Sequence, residues 1–298
     1  MGDANQHDTV DDIPVLGAGM TRAAGPVVVD AAGLTHPGKV RPTNEDNFHI
    51  ARFGRYLRTV ASSLTAPDAP DEFEQAGYGF AVADGVGGHA AGEVASRLAI
   101  TLLIDLILQT PDWIFAKEAF HLEAVMGRAA KRFGHVNDAV VAEAAARPGL
   151  RGMGTTLSLA LSLGTDLVVA HVGDSPVFLY RGGRLNRLTQ DHTIPVTGTG
   201  VHPADAARLR LALTHAIGIP STGGAPDLVR LKLADRDRLL LCTDGLTDLV
   251  EQDLIADELG RASADDACRA LVDRALERGG GDNVTVVVAS YRFPGAAV

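Results

Sequence analysis

The sequence predicts an α+β fold, two antiparallel β-sheets forming a sandwich flanked by pairs of α-helices (αββα). Three observations carry that expectation. Short apolar or alternating runs, separated by tight turns, recur along the chain as antiparallel strands do. Stretches of apolar residues spaced three and four apart come in pairs, two before residue 150 and two near the C-terminus. Several apolar runs also stop at an Asp beside a Gly, which sets carboxylates at strand ends.

Residues 1–26 mix Asp, Gly and small residues without periodicity and read as a loose tail. A single domain is expected over 27–292, with a short C-terminal tail at 293–298. Val27 to Asp30 is a candidate first strand. Residues 62–75 hold two prolines and four acids with no apolar pattern and predict a surface loop. Phe80 to Ala83 predicts a buried strand that delivers Asp84 into Gly85-Val86-Gly87-Gly88, where the backbone can turn tightly and approach a ligand. A helix follows from near Gly88, with Val94, Ala95, Leu98, Ala99, Leu102, Leu103, Leu106 and Ile107 on one face.

Thr110-Pro111 reads as the cap and first turn of the next helical stretch. Leu122, Val125, Ala129, Phe133, Val136 and Val140 mark its apolar face, and Pro148-Gly149 follows its end. Thr155 to Leu163 alternates as a half-buried strand should, and Leu167 to Val172 and Val177 to Tyr180 are further strands, the last entering the turn Arg181-Gly182-Gly183-Arg184. Residues 192–213 are irregular. Leu228 to Leu233 and Arg238 to Thr243 are strands, 249–259 and 264–278 amphipathic helices, the second capped by Ser263, and Val284 to Ala289 a final strand.

A net charge of −10 argues against a nucleic-acid surface, since no basic stripe is present. The two cysteines, Cys242 and Cys268, lie far apart without metal-type spacing, so a disulfide framework is not expected. No apolar stretch approaches the roughly 20 residues of a membrane span, and the acidic start is unlike a secretory signal. The expected location is the cytoplasm.

The carboxylates carry the chemistry. Asp84-Gly85, Gly173-Asp174-Ser175, Asp244-Gly245 and Gly281-Asp282-Asn283 each border an apolar run, and Asn44-Glu45-Asp46 adds a further acidic cluster. If those strand ends share one sandwich edge, the acids converge. Oxygen-only ligation suits the hard cations Mg²⁺ or Mn²⁺ and not zinc, and no H-E-x-x-H pair occurs. Separate, unrelated turns are the bland alternative, since Asp and Gly are ordinary turn residues.

Seven segments extend this pattern: VRPTNEDNF (40–48), VADGVGGHAAGEVAS (82–96), GMGTTLSLAL (152–161), AHVGDSPVFLYRGGRLNRLTQDHT (170–193), THAIG (214–218), LLLCTDGLTD (239–248) and GGGDNVTVVV (279–288). Together they resemble, in order and across residues 33–290, the metal-dependent serine/threonine protein phosphatases of the type 2C (PPM) family in its bacterial form. The resemblance implies hydrolysis of protein phosphoserine and phosphothreonine, with a dinuclear Mn²⁺ or Mg²⁺ site at one sandwich edge. Carried over by position, Asp84 bridges the metals, the Gly85 carbonyl binds one, and Asp244 and Asp282 complete the second. Asp174, with Asp244, matches a third metal site. Glu45 and Asp46 would hold metal-bound waters, Asn283 would help orient water, and Arg41 would grip the substrate phosphate. Two cations about 3.5–4 Å apart would activate a water and clamp its in-line attack on phosphorus, with no nucleophilic Ser or Cys.

The chain departs from the family pattern twice. Val86 stands where many eukaryotic relatives have a histidine proposed as general acid; bacterial relatives also carry a nonpolar residue there, so the resemblance implies a metal-bound water as donor, with His89 a weaker candidate for which capping or packing is an equal reading. Pro176 replaces the usual arginine of Gly-Asp-Ser-Arg, removing a cation and a backbone donor near Asp174. Residues 192–213 take the place of the family's flap. The resemblance implies phosphoprotein substrates and an opposing bacterial Ser/Thr kinase, and the expected state is a monomer without nucleic-acid or membrane partners. Two alternatives stand beside it: a catalytically silent phosphoprotein-binding module of the same fold, and a phosphatase of a sigma-factor regulator.

Overall fold

The computed structural model describes residues 27–64, 70–87, 91–109, 122–194, 213–219, 225–261 and 263–294. The predicted tail over 1–26, the cap at Thr110-Pro111, His89, and most of the flap and C-terminal tail lie outside them.

Two antiparallel sheets stack face to face. One has the order β1-β11-β10-β7-β8, formed by Val28–His36, Val284–Arg292, Arg238–Cys242, Val177–Arg181 and Arg184–Arg187. The other has the order β2-β3-β5-β6-β9, formed by Asp46–Arg58, Glu72–Val86, Leu157–Leu163, Asp166–Val172 and Asp227–Lys232, with the short β4 (Gly154–Thr155) paired to the end of β3. Helices α1 (Ala91–Leu108) and α2 (Leu122–Ala146) cover the second sheet; α4 (Gln252–Arg261) and α5 (Ala264–Glu277) cover the first, and a one-turn α3 (Asp244–Thr247) follows β10.

Alternation along each central strand explains the layers. On β3, Phe80 and Val82 face the opposite sheet while Ala81 and Ala83 face α1, so a fully buried strand reads as an unbroken apolar run. The small side chains at 81 and 83 meet equally small ones, Ala95 and Ala99, in one core cluster with α1. On β10, Leu239 and Leu241 point between the sheets, and Leu240 and Cys242 point toward α4 and α5. Tyr291 closes the inter-sheet core from β11 and bonds Ser162 through its hydroxyl at 3.1 Å. The Ser263 cap of α5 is present, its hydroxyl accepting from the Asp266 amide.

Several boundaries need correction. The loop expected over 62–75 is shorter, because β3 begins at Glu72 and pairs with β2 out to Arg58. Its polarity is that of a cross-strand ladder: Arg52 pairs with Glu74 and Arg58 with Glu72 across the hairpin. Thr155 to Leu163 is broken at Thr156, whose amide turns to the Asp84 carbonyl at 2.9 Å. The described part of the first helix starts at Ala91, the second runs past Val140 to Ala146, and the helix expected over 249–259 is shifted to 252–261.

One ion pair locks the far end of the sandwich. Asp237, only 1% exposed, accepts two bonds from Arg181 at 2.8 and 2.6 Å and another from the Ala234 amide. Asp237→Ala leaves that amide without its acceptor and the half-exposed guanidinium with only the Lys232 carbonyl, and urea denaturation should show a loss of about 2 kcal/mol. A loss below about 1 kcal/mol would mean the pair contributes no more than a surface bridge.

Candidate active site

The sheets meet in polar contacts at one edge. Asp46 opens β2 directly opposite Asp84 in the β2–β3 register. Its Oδ2 accepts from the hydroxyls of Thr243 at 2.8 Å and Thr285 at 2.7 Å, which border β10 and begin β11. The carboxylate therefore ties one sheet to the other. Its Oδ1 is buried without an ordinary partner; its neighbour is the Asp84 carboxyl, which can satisfy it only by carrying a proton. Burial pushes Asp46 up to about 6 against the opposing pull of the two threonines.

Around this pair the other acids gather. Asp84 keeps some solvent contact, yet its carboxyl is densely surrounded by protein. Burial, and then the charges of Asp46, Asp244, Asp174 and Asp282, hold it well above the usual carboxylate range. Asp244 is pushed up to about 8 by burial, Asp174 and Asp248 foremost, and Asp174 to about 6 by burial and Asp191. Each acid appears among the causes of another's shift, so the strand ends do converge.

The backbone beneath them is pinned. The Asp84 amide donates to the Thr156 hydroxyl at 2.9 Å, and the Asp84 carbonyl accepts from the Thr156 amide and the Thr155 hydroxyl. Gly85 lies against the first turn of α1: a Cβ there would stand 2.2 Å from the Gly92 carbonyl oxygen. Ser96 on α1, fully buried, donates to the Glu45 carbonyl at 2.5 Å. Asn283 stitches the β1–β2 loop to β11, its oxygen taking the Glu45 amide and its NH₂ reaching the carbonyls of Pro37 and Thr43. Its amide is thus committed to holding the loop. Pro176, where an arginine was expected, is buried, and its carbonyl accepts from the Cys242 amide at 3.2 Å.

Arg41 lies on the rim, half-exposed, with Nη2 2.6 Å from Asp282 Oδ2. The Asn283 amide takes Oδ1 of Asp282, so both oxygens of that acid are engaged. Among the described residues no three His, Cys, Asp or Glu side chains stand close enough to chelate one ion as placed. The charge and donor chemistry nevertheless fit a hard divalent cation: oxygen donors only, mutually repelling acids, and an orphaned buried carboxylate oxygen. Cys242 is buried, its thiol pushed up by burial, and is unsuited to nucleophilic work.

The structure gathers Glu45, Asp46, Asp84, Gly85, Asp174, Asp244, Asp282, Asn283 and Arg41 at one edge. Sequence reasoning missed Ser96, Thr155, Thr156, Thr243 and Thr285. A weak signal was available for two of them: hydroxyl residues interrupting otherwise apolar strands beside Asp244 and Asn283.

The protein phosphatase 2C profile matches residues 63–278. The serine/threonine protein phosphatase PstP of Mycobacterium tuberculosis is 38% identical over 254 residues, spanning 80% of this chain and 46% of that protein. The chain thus spans about half the length of that relative. The serine/threonine phosphatase stp of Listeria welshimeri is 34% identical over 213 residues, 70% of this chain and 82% of its own. Among solved structures, the catalytic domain of PstP in complex with two manganese ions superposes with a TM-score of 0.65 at 30% identity, over 89% of this chain and 99% of that one. A bacterial serine phosphatase superposes with a TM-score of 0.69 at 27% identity, over 91% and 100%.

Proposed function

Because the chain belongs to the protein phosphatase 2C family, we propose that it hydrolyses phosphoserine and phosphothreonine esters on proteins, dependent on Mn²⁺ or Mg²⁺. The observation that carries this reading is the convergence of oxygen-donor acids at one sandwich edge beside the Arg41 guanidinium. The manganese-bound relative supports the choice of ion.

Asp84, Asp244, Asp282 and the Gly85 carbonyl would hold two divalent ions, and Asp174 with Asp244 a third. Bound there, the ions would supply a water of lowered pKa and positive charge against the phosphoryl oxygens. The residues of the chain do the rest. Thr155 and Thr156 fix the Asp84 backbone, so the strand end that carries this carboxylate would be in place before any ion is bound. Asn283 and Ser96 hold the loop that bears Glu45 and Asp46 against the same edge. Arg41, if freed from Asp282, would offer its guanidinium fork to two phosphate oxygens. Val86 has no proton to give the leaving serine or threonine oxygen, and the proposed donor is water.

The reading places the chain opposite a serine/threonine kinase, as a cytoplasmic monomer acting in signalling. Arg41→Ala should raise KM for a phosphothreonine peptide about 10- to 100-fold, the worth of a charge-assisted fork, while Mn²⁺ affinity holds or improves. Steady-state kinetics beside a Mn²⁺ binding isotherm checks this; an unchanged KM would remove Arg41 from the phosphate site.

A further inference from the structure

Beside the acidic edge lies a cluster that the proposed chemistry does not use: His171, His192 and His215, with their rings tilted against one another. The centroids are 5.2 Å apart for the first pair and 4.9 Å for the second, at interplanar angles of 43° and 58°. The middle ring is therefore held on two sides. We propose that His192 is a positioning residue that sets the place of Asp174 through the Gly173 backbone, and that His171 fixes the ring that does so.

Gly173 follows β6 with φ +111°, and a Cβ there would meet Thr156 at 2.6 Å. The far side of the turn is held by the Ser175 hydroxyl, 2.6 Å from that of Thr156, but Gly173 has no side chain and is held only through its backbone. His192 holds it at two points. Its amide donates to the Gly173 carbonyl at 2.8 Å, and its Nδ1 accepts from the Gly173 amide at 3.2 Å. An accepting Nδ1 leaves the ring proton on Nε2, which reaches Asp227 Oδ2 at 3.1 Å.

The neighbouring ring has the opposite tautomer. Ser158 has one hydroxyl proton and spends it on the Ser175 carbonyl at 2.5 Å, so its oxygen accepts from His171 Nδ1–H at 2.8 Å. His171 Nε2 is then a bare lone pair, buried without a hydrogen-bond partner among the described residues. Burial foremost pushes His171 down to about 4, with the Gly173 backbone pulling the other way, so the ring stays neutral. A neutral, buried ring anchored through Ser158 to the Asp174 loop is a fixed wall for His192.

The same residue also anchors the chain beyond it. The Thr214 amide donates to the His192 carbonyl at 2.7 Å, and Thr193 bridges Leu213. His192 thus joins that pair to the Asp174 turn, and a shift of either moves the other. The consequence for ion binding rests on the proposed role of Asp174; the positioning itself does not.

Imidazole ¹⁵N NMR on the metal-free, unaltered protein should find His192 as the Nε2–H tautomer and His171 as Nδ1–H; an Nδ1–H His192 overturns the proposal. Two variants separate positioning from packing, because an Asn oxygen falls near the place of Nδ1 whereas a Gln amide reaches toward Nε2. His192→Asn should keep Gly173 amide exchange within about threefold of the parent, and His192→Gln should raise it about tenfold or more. Equal exchange in the two variants would reduce the ring to packing and refute the assignment. A Mn²⁺ isotherm then tests the consequence: the weakest binding event should fall in His192→Gln as it does in Asp174→Asn. If Asp174→Asn leaves binding unaltered, Asp174 is not a ligand, while the exchange data still decide the positioning.

Discussion

Asp84→Asn should lower phosphothreonine hydrolysis on the order of 10³-fold or more while leaving the sandwich folded. The side chain is nearly isosteric, and the bonds that pin residue 84 come from its backbone, through Thr155 and Thr156. What changes is charge. Burial and then four neighbouring acids raise the cost of ionising the Asp84 carboxyl, so it depends on a cation to remain ionised. Thermal melts should therefore separate two effects. Added Mn²⁺ should raise the parent's midpoint by mass action and barely move the variant's. The metal-free midpoint should stay level or rise, since one repelling charge is gone. Retained turnover in the variant would take Asp84 out of the site.

Gly85→Ala should be nearly as damaging by a different route. The added carbon would stand 2.2 and 2.4 Å from the Gly92 carbonyl atoms and 2.9 Å from the Glu45 oxygen, all of them backbone. Neither neighbour can rotate away. Either the first turn of α1 lifts or the end of β3 shifts, and overpacking of this kind costs about 3 kcal/mol. Because the same shift displaces Asp84 and the carbonyl of residue 85, turnover should fall about 100-fold even at temperatures where the variant is folded. Gly134→Ala is the matched control: nothing lies within 4 Å of its added carbon on α2, and helix propensity should hold or raise stability by about 0.5–1 kcal/mol. A Gly85→Ala protein as stable and active as the parent would mean that α1 does not press on the site.

Much of this site was legible before any coordinates, for a simple reason. Asp84, Asp174, Asp244 and Asp282 each border a buried strand at a glycine, so local pattern alone marks them. The layers followed from alternation, because Phe80 with Val82 and Leu239 with Leu241 must point one way and their neighbours the other. β2 was not legible: it is an edge strand whose outer half is charged, and its partners on β3 were acids that read as loop. Thr243 and Thr285 escaped because their role appears only when chain positions 197 and 239 residues away from Asp46 are brought to it. Arg41 was placed by resemblance, but its pairing with Asp282, 241 residues on, needed the fold. Residues 192 and 171 looked like unremarkable members of a motif until three rings were found in contact.

The most direct measurement is hydrolysis of a phosphothreonine peptide by chelator-stripped protein before and after Mn²⁺ is returned. Turnover absent without the ion, restored with it, and missing in Asp244→Asn throughout is the predicted result. Equal turnover with and without Mn²⁺ or Mg²⁺, or full turnover in Asp244→Asn, would contradict the claim that the acids of this edge work by holding cations.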